Sequence, residues 1–210
     1  MNRRLLCALF VAALSLPLGL TGPAYAAADL AKAESVVTAL SDKGIHSVVT
    51  ADVPPEERIN RFRALFTSDF DVNGVAHFVL GRFWRGADPA VLTHFVEVFR
   101  EVTIYTWAQR FKSYTGQTIK VVGSSPDGDA GAFVDTQVID PNGGAPVTVR
   151  WRLRVRPEAE LGWQVVDLTV EGVSLAMTQR SDYESFLSQN NGDIGKLIER
   201  LQTQLVDLKK

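Results

Sequence analysis

Between Val147 and Arg156 apolar and polar residues alternate: Val147, Val149, Trp151, Leu153 and Val155 against Thr148, Arg150, Arg152, Arg154 and Arg156. A period of two is that of a strand with one dry face and one wet face. The wet face is mostly arginine, so it must meet water or acidic partners. Residues 118–122, 132–139 and 163–170 read as three more strands. Ser125-Pro126-Asp127-Gly128 is a turn between the first two, and Asp140-Pro141-Asn142-Gly143-Gly144 closes a hairpin onto 147–155. In 163–170 the alternation slips. Trp163 and Val165 hold one phase, Val166, Leu168 and Val170 the other, which predicts a bulge. Four successive strands with short connections imply a curved antiparallel sheet.

On both sides of this block the period changes to that of helices. Residues 29–43 form one, stopped by Gly44. Pro54-Pro55-Glu56-Glu57 opens a second, since proline suits the first turn and acids favour the positive helix end. Ile59, Phe62, Leu65 and Phe66 fall on its one face. Asp71 caps a short third helix carrying Val72, Val75, Ala76, Val79 and Leu80, and Gly81 ends it. Asp88-Pro89 starts the longest helix, 89–114. Its apolar residues, among them Phe95, Val98, Phe99, Val102, Tyr105 and Trp107, cover an arc wider than a surface helix needs. Burial on several sides explains that arc, and contact with a hydrophobic ligand explains it equally well. After the sheet, Ser181-Asp182-Tyr183-Glu184 has the spacing of a capping box. Asn190-Asn191-Gly192 interrupts, and Ile194, Leu197, Ile198, Leu201 and Leu205 make a clear helical stripe. The fold class is α+β: a four-stranded curved antiparallel sheet with N-terminal and C-terminal helices around an apolar interior.

Composition narrows the picture. Arg3 and Arg4, an uncharged apolar run over 5–20 and Ala24-Tyr25-Ala26 make residues 1–26 a secretory leader, leaving 27–210 as one domain. The single cysteine, Cys7, leaves with the leader, so disulfides and thiolate chemistry are excluded. Removing Arg3 and Arg4 lowers the basic count from 22 to 20 against 24 acidic residues, a net charge of −4. That argues against nucleic acid as a partner.

Catalytic signatures are missing. Gly172-Val173-Ser174 is not a nucleophile elbow, and no phosphate loop or dinucleotide fingerprint occurs. His46, His77 and His94 lack metal-ligand spacing. Asp167 shares the phase of Trp163 and Val165, so a buried carboxylate is expected there. It is either a structural partner, for Arg180 or for backbone near Gly172, or a general base. Asp135 and Glu171 read as structural or solvated. The arginine row reads first as a solvated face and second as a partner-binding or headgroup-attracting patch.

Several segments together resemble a known family. They are Phe78-Val79-Leu80-Gly81-Arg82-Phe83-Trp84, residues 95–105 with Tyr114-x-Gly116, Trp163-Gln164-Val165-Val166-Asp167, Val170-Glu171-Gly172-Val173-Ser174, Gln179-Arg180-Ser181-Asp182-Tyr183, and residues 192–201. In this order they are similar to the periplasmic phospholipid-binding MlaC (toluene-tolerance) family of the bacterial outer-membrane lipid asymmetry system. Gln179 stands where many relatives carry Asn, and Trp151 where a tyrosine is common. The resemblance implies a nuclear-transport-factor-like cone that holds lipid tails and uses no cofactor. It implies a periplasmic monomer shuttling phospholipid between an outer-membrane lipoprotein complex and an inner-membrane ABC transporter complex. The pocket wall it implies uses Val79, Leu80, Trp84, Phe95, Phe99, Val102, Trp151, Leu153, Val165, Val173 and Leu175. Three alternatives remain at this stage: a carrier of hopanoid or other isoprenoid lipid, a cone-fold isomerase or hydratase using Asp167, and a structural adaptor.

Overall fold

The computed structural model describes residues 24–49, 53–111 and 114–210. Most of the expected leader, residues 1–23, lies outside the described residues. In chain order the elements are α1 (Ala24–Gly44), a π-helical stretch (Ile45–Val49), α2 (Pro55–Asp69), α3 (Val72–Leu80), a 3-10 turn (Gly81–Trp84) and α4 (Pro89–Phe111). The strands β1 (Thr118–Pro126), β2 (Gly131–Ile139), β3 (Val147–Val155), β4 (Trp163–Val170) and β5 (Val173–Ser174) follow, then α5 (Leu175–Gln189) and α6 (Ile194–Leu208). α1 ends at Gly44, the expected stop, and the chain runs on from it into the wider π-helical stretch.

The strands form one open antiparallel sheet in sequential order, with the two-residue β5 added to the expected four. Residues directly opposite one another share a face. Arg152 pairs with Asp167 and Leu153 with Val165, so Val166 is the extra residue of a bulge. The bulge returns Leu168 and Val170 to the face of Trp151 and Val149. It also places Asp167 on the arginine side, which corrects the expectation that Asp167 keeps the phase of Trp163 and Val165. A second bulge at Val122, between Val121 and Gly123, interrupts the alternation of β1 and lets it run on to Pro126.

The arginines of β3 find their acids within the chain. Arg150 holds Asp135 at 2.7 Å, and Arg152 and Arg154 converge on Asp127 in the β1–β2 turn. Arg156 reaches Asp71 at 2.8 Å. The two guanidiniums donate to Asp127 and hold its carboxyl below the usual carboxylate range.

Two apolar bodies result. On one face of the sheet, Ala33, Val36, Val37 and Leu40, a helical stripe of α1, pack on Ala132, Val134, Leu153, Trp163 and Val165. Within it, the buried Thr136 hydroxyl donates to the Val149 carbonyl at 2.9 Å and accepts from the Trp151 indole at 3.0 Å. The other body joins α2 to α6 and contains Phe66, Val79, Leu80, Phe95, Phe99 and Tyr183. The α6 stripe Ile194, Leu197, Ile198 and Leu201 is buried in it, each side chain contributing about 1.5–3 kcal/mol of transfer free energy before entropy is counted. Phe70 belongs to both bodies. It lies at the α2–α3 joint, which is tied to β4: Asp71 N–H donates to the Val165 carbonyl at 3.0 Å and Gln164 to the Ser68 carbonyl at 3.1 Å.

Local caps fix the helices around this joint. Asp71 accepts from Gly74 N–H at 2.8 Å, opening α3. Gly81, at φ +53°, closes it in a region that a side chain rarely adopts. The expected start of a helix at Ser181 is corrected. The N-cap of α5 is Ser174, whose hydroxyl accepts from Met177 N–H at 3.0 Å, and Ser181 lies inside the helix. Between α5 and α6, Asn191 and Gly192 take positive φ, and Gly192 N–H returns to the Leu187 carbonyl at 2.8 Å.

Candidate functional site

A cavity of about 430 Å³ lies between α3, α4, α5 and strand β4, within the range of ligand pockets. Its floor is apolar: Phe66 and Phe70 from the end of α2, Val75 and Val79 from α3, Phe99 and Val102 from α4, and Leu168 and Leu175. The spacing of 75 to 79 and of 99 to 102 puts each pair on one helix face. Toward solvent the wall turns polar. Arg110, Thr178, Asp182 and Gln204 are exposed and mark the mouth between α4, α5 and α6. Arg110 lies over the Trp107 ring at 4.9 Å, and Asp182 is tied to Arg200 at 3.1 Å. Gln109 donates to the Leu208 carbonyl at 2.7 Å and pins the end of α6 to α4.

Three polar residues that border the cavity, Thr103, Tyr183 and Asp167, find partners within the chain. Thr103 donates to the Phe99 carbonyl at 2.8 Å, leaving its methyl as the apolar part. Tyr183 is 2% exposed and meets Phe95 and Phe99 edge-on, with ring centroids 6.1 and 6.5 Å away. Burial pushes its phenol well above the ordinary value, so it stays a neutral hydroxyl, with Gln179 as its side-chain partner. Asp167 borders the cavity, yet its oxygens are engaged. One accepts from Ala176 N–H at 3.0 Å, the other from the Ser174 hydroxyl at 2.5 Å. It is a second cap on the N-terminus of α5, and its partner is that backbone rather than Arg180, which pairs with Glu184 at 3.0 Å.

Of the eleven residues expected in the pocket wall, Val79, Phe99, Val102 and Leu175 border this cavity. Leu80, Trp84 and Phe95 pack in the helical body around it. Trp151, Leu153 and Val165 belong to the apolar body that packs on α1, and Val173 is 56% exposed beside β5. Phe70, Val75, Trp107, Leu168 and Tyr183 border the cavity without having been singled out for it. The wide apolar arc of α4 was the signal for Trp107. Among the described residues, no cluster of three or more His, Cys, Asp or Glu could hold a metal, and no helix is long and apolar enough to cross a membrane. His46 bonds the Asp42 carbonyl at 2.9 Å, His77 lies against Trp84, and His94 contacts Glu97 and Gln202.

An open, curved antiparallel sheet whose flanking helices enclose an apolar cavity defines a cone-shaped, nuclear-transport-factor-like α+β protein. The model of the MlaC protein family matches residues 40–203, more than three quarters of the chain, and the chain belongs to that family. It is also similar to a solved structure, the phospholipid-binding protein from Ralstonia solanacearum in complex with a phospholipid. The TM-score is 0.72 at 21% identity, over 85% of this chain and 99% of that one. At that identity the likeness speaks for the fold.

Proposed function

We propose that this chain is a periplasmic lipid carrier that takes phospholipid tails into the cavity between α3, α4, α5 and β4 and leaves the headgroup at the mouth. The observation that carries the reading is the apolar cavity itself, in a member of the MlaC family whose fold matches that of a protein bound to a phospholipid. Two acyl tails hold roughly 30 methylene groups, and at about 0.8 kcal/mol each their exposure to water costs on the order of 20 kcal/mol. A carrier has to cover that surface and still release it to a membrane. A dry, weakly specific wall meets both demands, and carriage needs no covalent step. On this reading an outer-membrane lipoprotein complex and an inner-membrane ABC transporter complex are the donor and acceptor, and the carrier works as a monomer.

On this reading tails enter when α3 and α5 move away from α4 and widen the mouth. The test is transfer of fluorescent phospholipid between vesicles by the wild type and by Val75→Trp, which fills the cavity from a partly buried position. Loss of transfer in a folded Val75→Trp protein is the expected result. Transfer at the wild-type rate would refute the cavity as the tail site.

A further inference from the structure

The helix pair α3 and α5 has two sides. Val75, Val79 and Gln179 face the lipid cavity. On the opposite side lies a second hollow of about 560 Å³, bordered by His77, Phe78, Gly81, Arg82, Arg85 and Arg180. Three guanidiniums therefore meet in one concave place on a chain whose formal net charge is −2.

Two of these cations are held in position. Arg180 pairs with Glu184 at 3.0 Å and lies over the Phe78 ring at 5.0 Å. Arg82 donates to the Ser188 hydroxyl at 2.9 Å and lies over the Phe83 ring at 4.8 Å. Stacking fixes a guanidinium without consuming its N–H donors. Glu184 is the one carboxylate paired within the group: among the described residues, no ion pair engages Arg82 or Arg85. The nearby Asp88 accepts from Ala90 N–H at 2.7 Å as the cap of α4. Gly81 keeps the floor low. A Cβ there would stand 2.9 Å from Arg180 Nη2 and 2.6 Å from Glu184 Oε1.

Donors converging from the 3-10 turn and from α5 suit a tetrahedral oxyanion, which presents several oxygens at once. A carboxylate, with two oxygens in one plane, answers fewer of these donors. We propose that this hollow binds a phosphate group, either that of an anionic lipid headgroup at a membrane surface or free phosphate. The site is separate from the lipid cavity and stands whether or not the cavity carries tails. If the source is a headgroup, the outer side of the α3–α5 wall is the side that meets the membrane.

The experiment uses the isotope-labelled protein and follows its arginine Nε–H NMR signals. Inorganic phosphate is added in one arm, and vesicles of phosphatidylglycerol or of phosphatidylcholine in the other, with flotation measured at low and high salt. The double variant Arg82→Gln/Arg85→Gln leaves the Arg180–Glu184 pair intact. The expected result is that phosphate shifts the Arg82, Arg85 and Arg180 signals and that the variant weakens binding at least tenfold. Salt-sensitive flotation with phosphatidylglycerol, lost in the variant, assigns the site to a headgroup. Phosphate binding without flotation assigns it to free phosphate. If the variant does not fold, localisation of the shifts in the wild type decides. Absence of shifts with both probes, or wild-type binding by the folded variant, would overturn the proposal.

Discussion

Replacing Asp167 with asparagine removes a charge from the N-terminus of α5 while keeping the shape of the side chain. The carboxylate accepts Ala176 N–H and the Ser174 hydroxyl, and Ser174 in turn accepts Met177 N–H. An anion in the first turn contributes about 0.3–1 kcal/mol through the helix dipole. A hydrogen bond to a charged acceptor is worth about 1.5–3 kcal/mol against about 0.5–1.5 for a neutral one. The two losses together come to about 1–2.5 kcal/mol. For a protein of this size each kcal/mol moves Tm by about 2–4 °C, so Asp167→Asn should unfold roughly 2–10 °C below the wild type. The assay is thermal unfolding followed by circular dichroism, with Ser174→Ala and the double variant completing a cycle. Because Asp167 acts partly through Ser174, the two losses should not add, and the coupling should be about 1 kcal/mol. An unchanged Tm for Asp167→Asn, or strict additivity in the cycle, would refute the capping role.

Thr136→Val keeps the shape but leaves the Trp151 indole N–H and the Val149 carbonyl short of a partner; a loss of about 1–3 kcal/mol in urea unfolding is expected. Gly81→Ala forces a side chain onto φ +53° and against the Arg180–Glu184 pair, and should cost about 1–3 kcal/mol by the same measurement. The folded-state pKa of Asp127 is depressed, first by its bond to Arg152. Its contribution is therefore fully present above the ordinary value near 3.8 and is lost as pH falls through the folded value. Urea midpoints measured downward from about pH 6 should fall in this range, and Asp127→Asn should start lower and fall less; an identical slope in both proteins would refute the pairing. An engineered disulfide between α4 and α5 should block lipid transfer in a protein that remains folded. Transfer at the wild-type rate in the oxidised form would contradict opening of these helices.

Strand β3 was legible residue for residue, because alternating Val, Trp, Leu and Arg leaves one register that buries the apolar set, and the bounds of β4 were legible as well. The Asp71 cap and the Gly81 stop were legible for the same local reason: each residue satisfies its own helix end. The start of α5 was not. Ser174 follows a strand-like Gly172-Val173, while Ser181 and Glu184 offer a capping-box spacing that helix packing leaves unused. Asp167 was misplaced because a single inserted residue, Val166, reverses every later side chain. The cavity was harder still. Periodicity shows that Trp151, Leu153 and Val165 share a dry face, but not that α1 covers it. The empty space lies instead beside β4, among helices whose apolar residues look the same in sequence whether they meet one another or a void.

Native mass spectrometry of the gently purified protein, followed by extraction and identification of whatever it carries, tests the central claim most directly. About one phospholipid per chain, displaced in the Val75→Trp protein, is the predicted result. A protein that carries no lipid, and takes up none after incubation with labelled phospholipid vesicles, would contradict carriage; a bound hopanoid or other polycyclic lipid in its place would contradict phospholipid as the cargo.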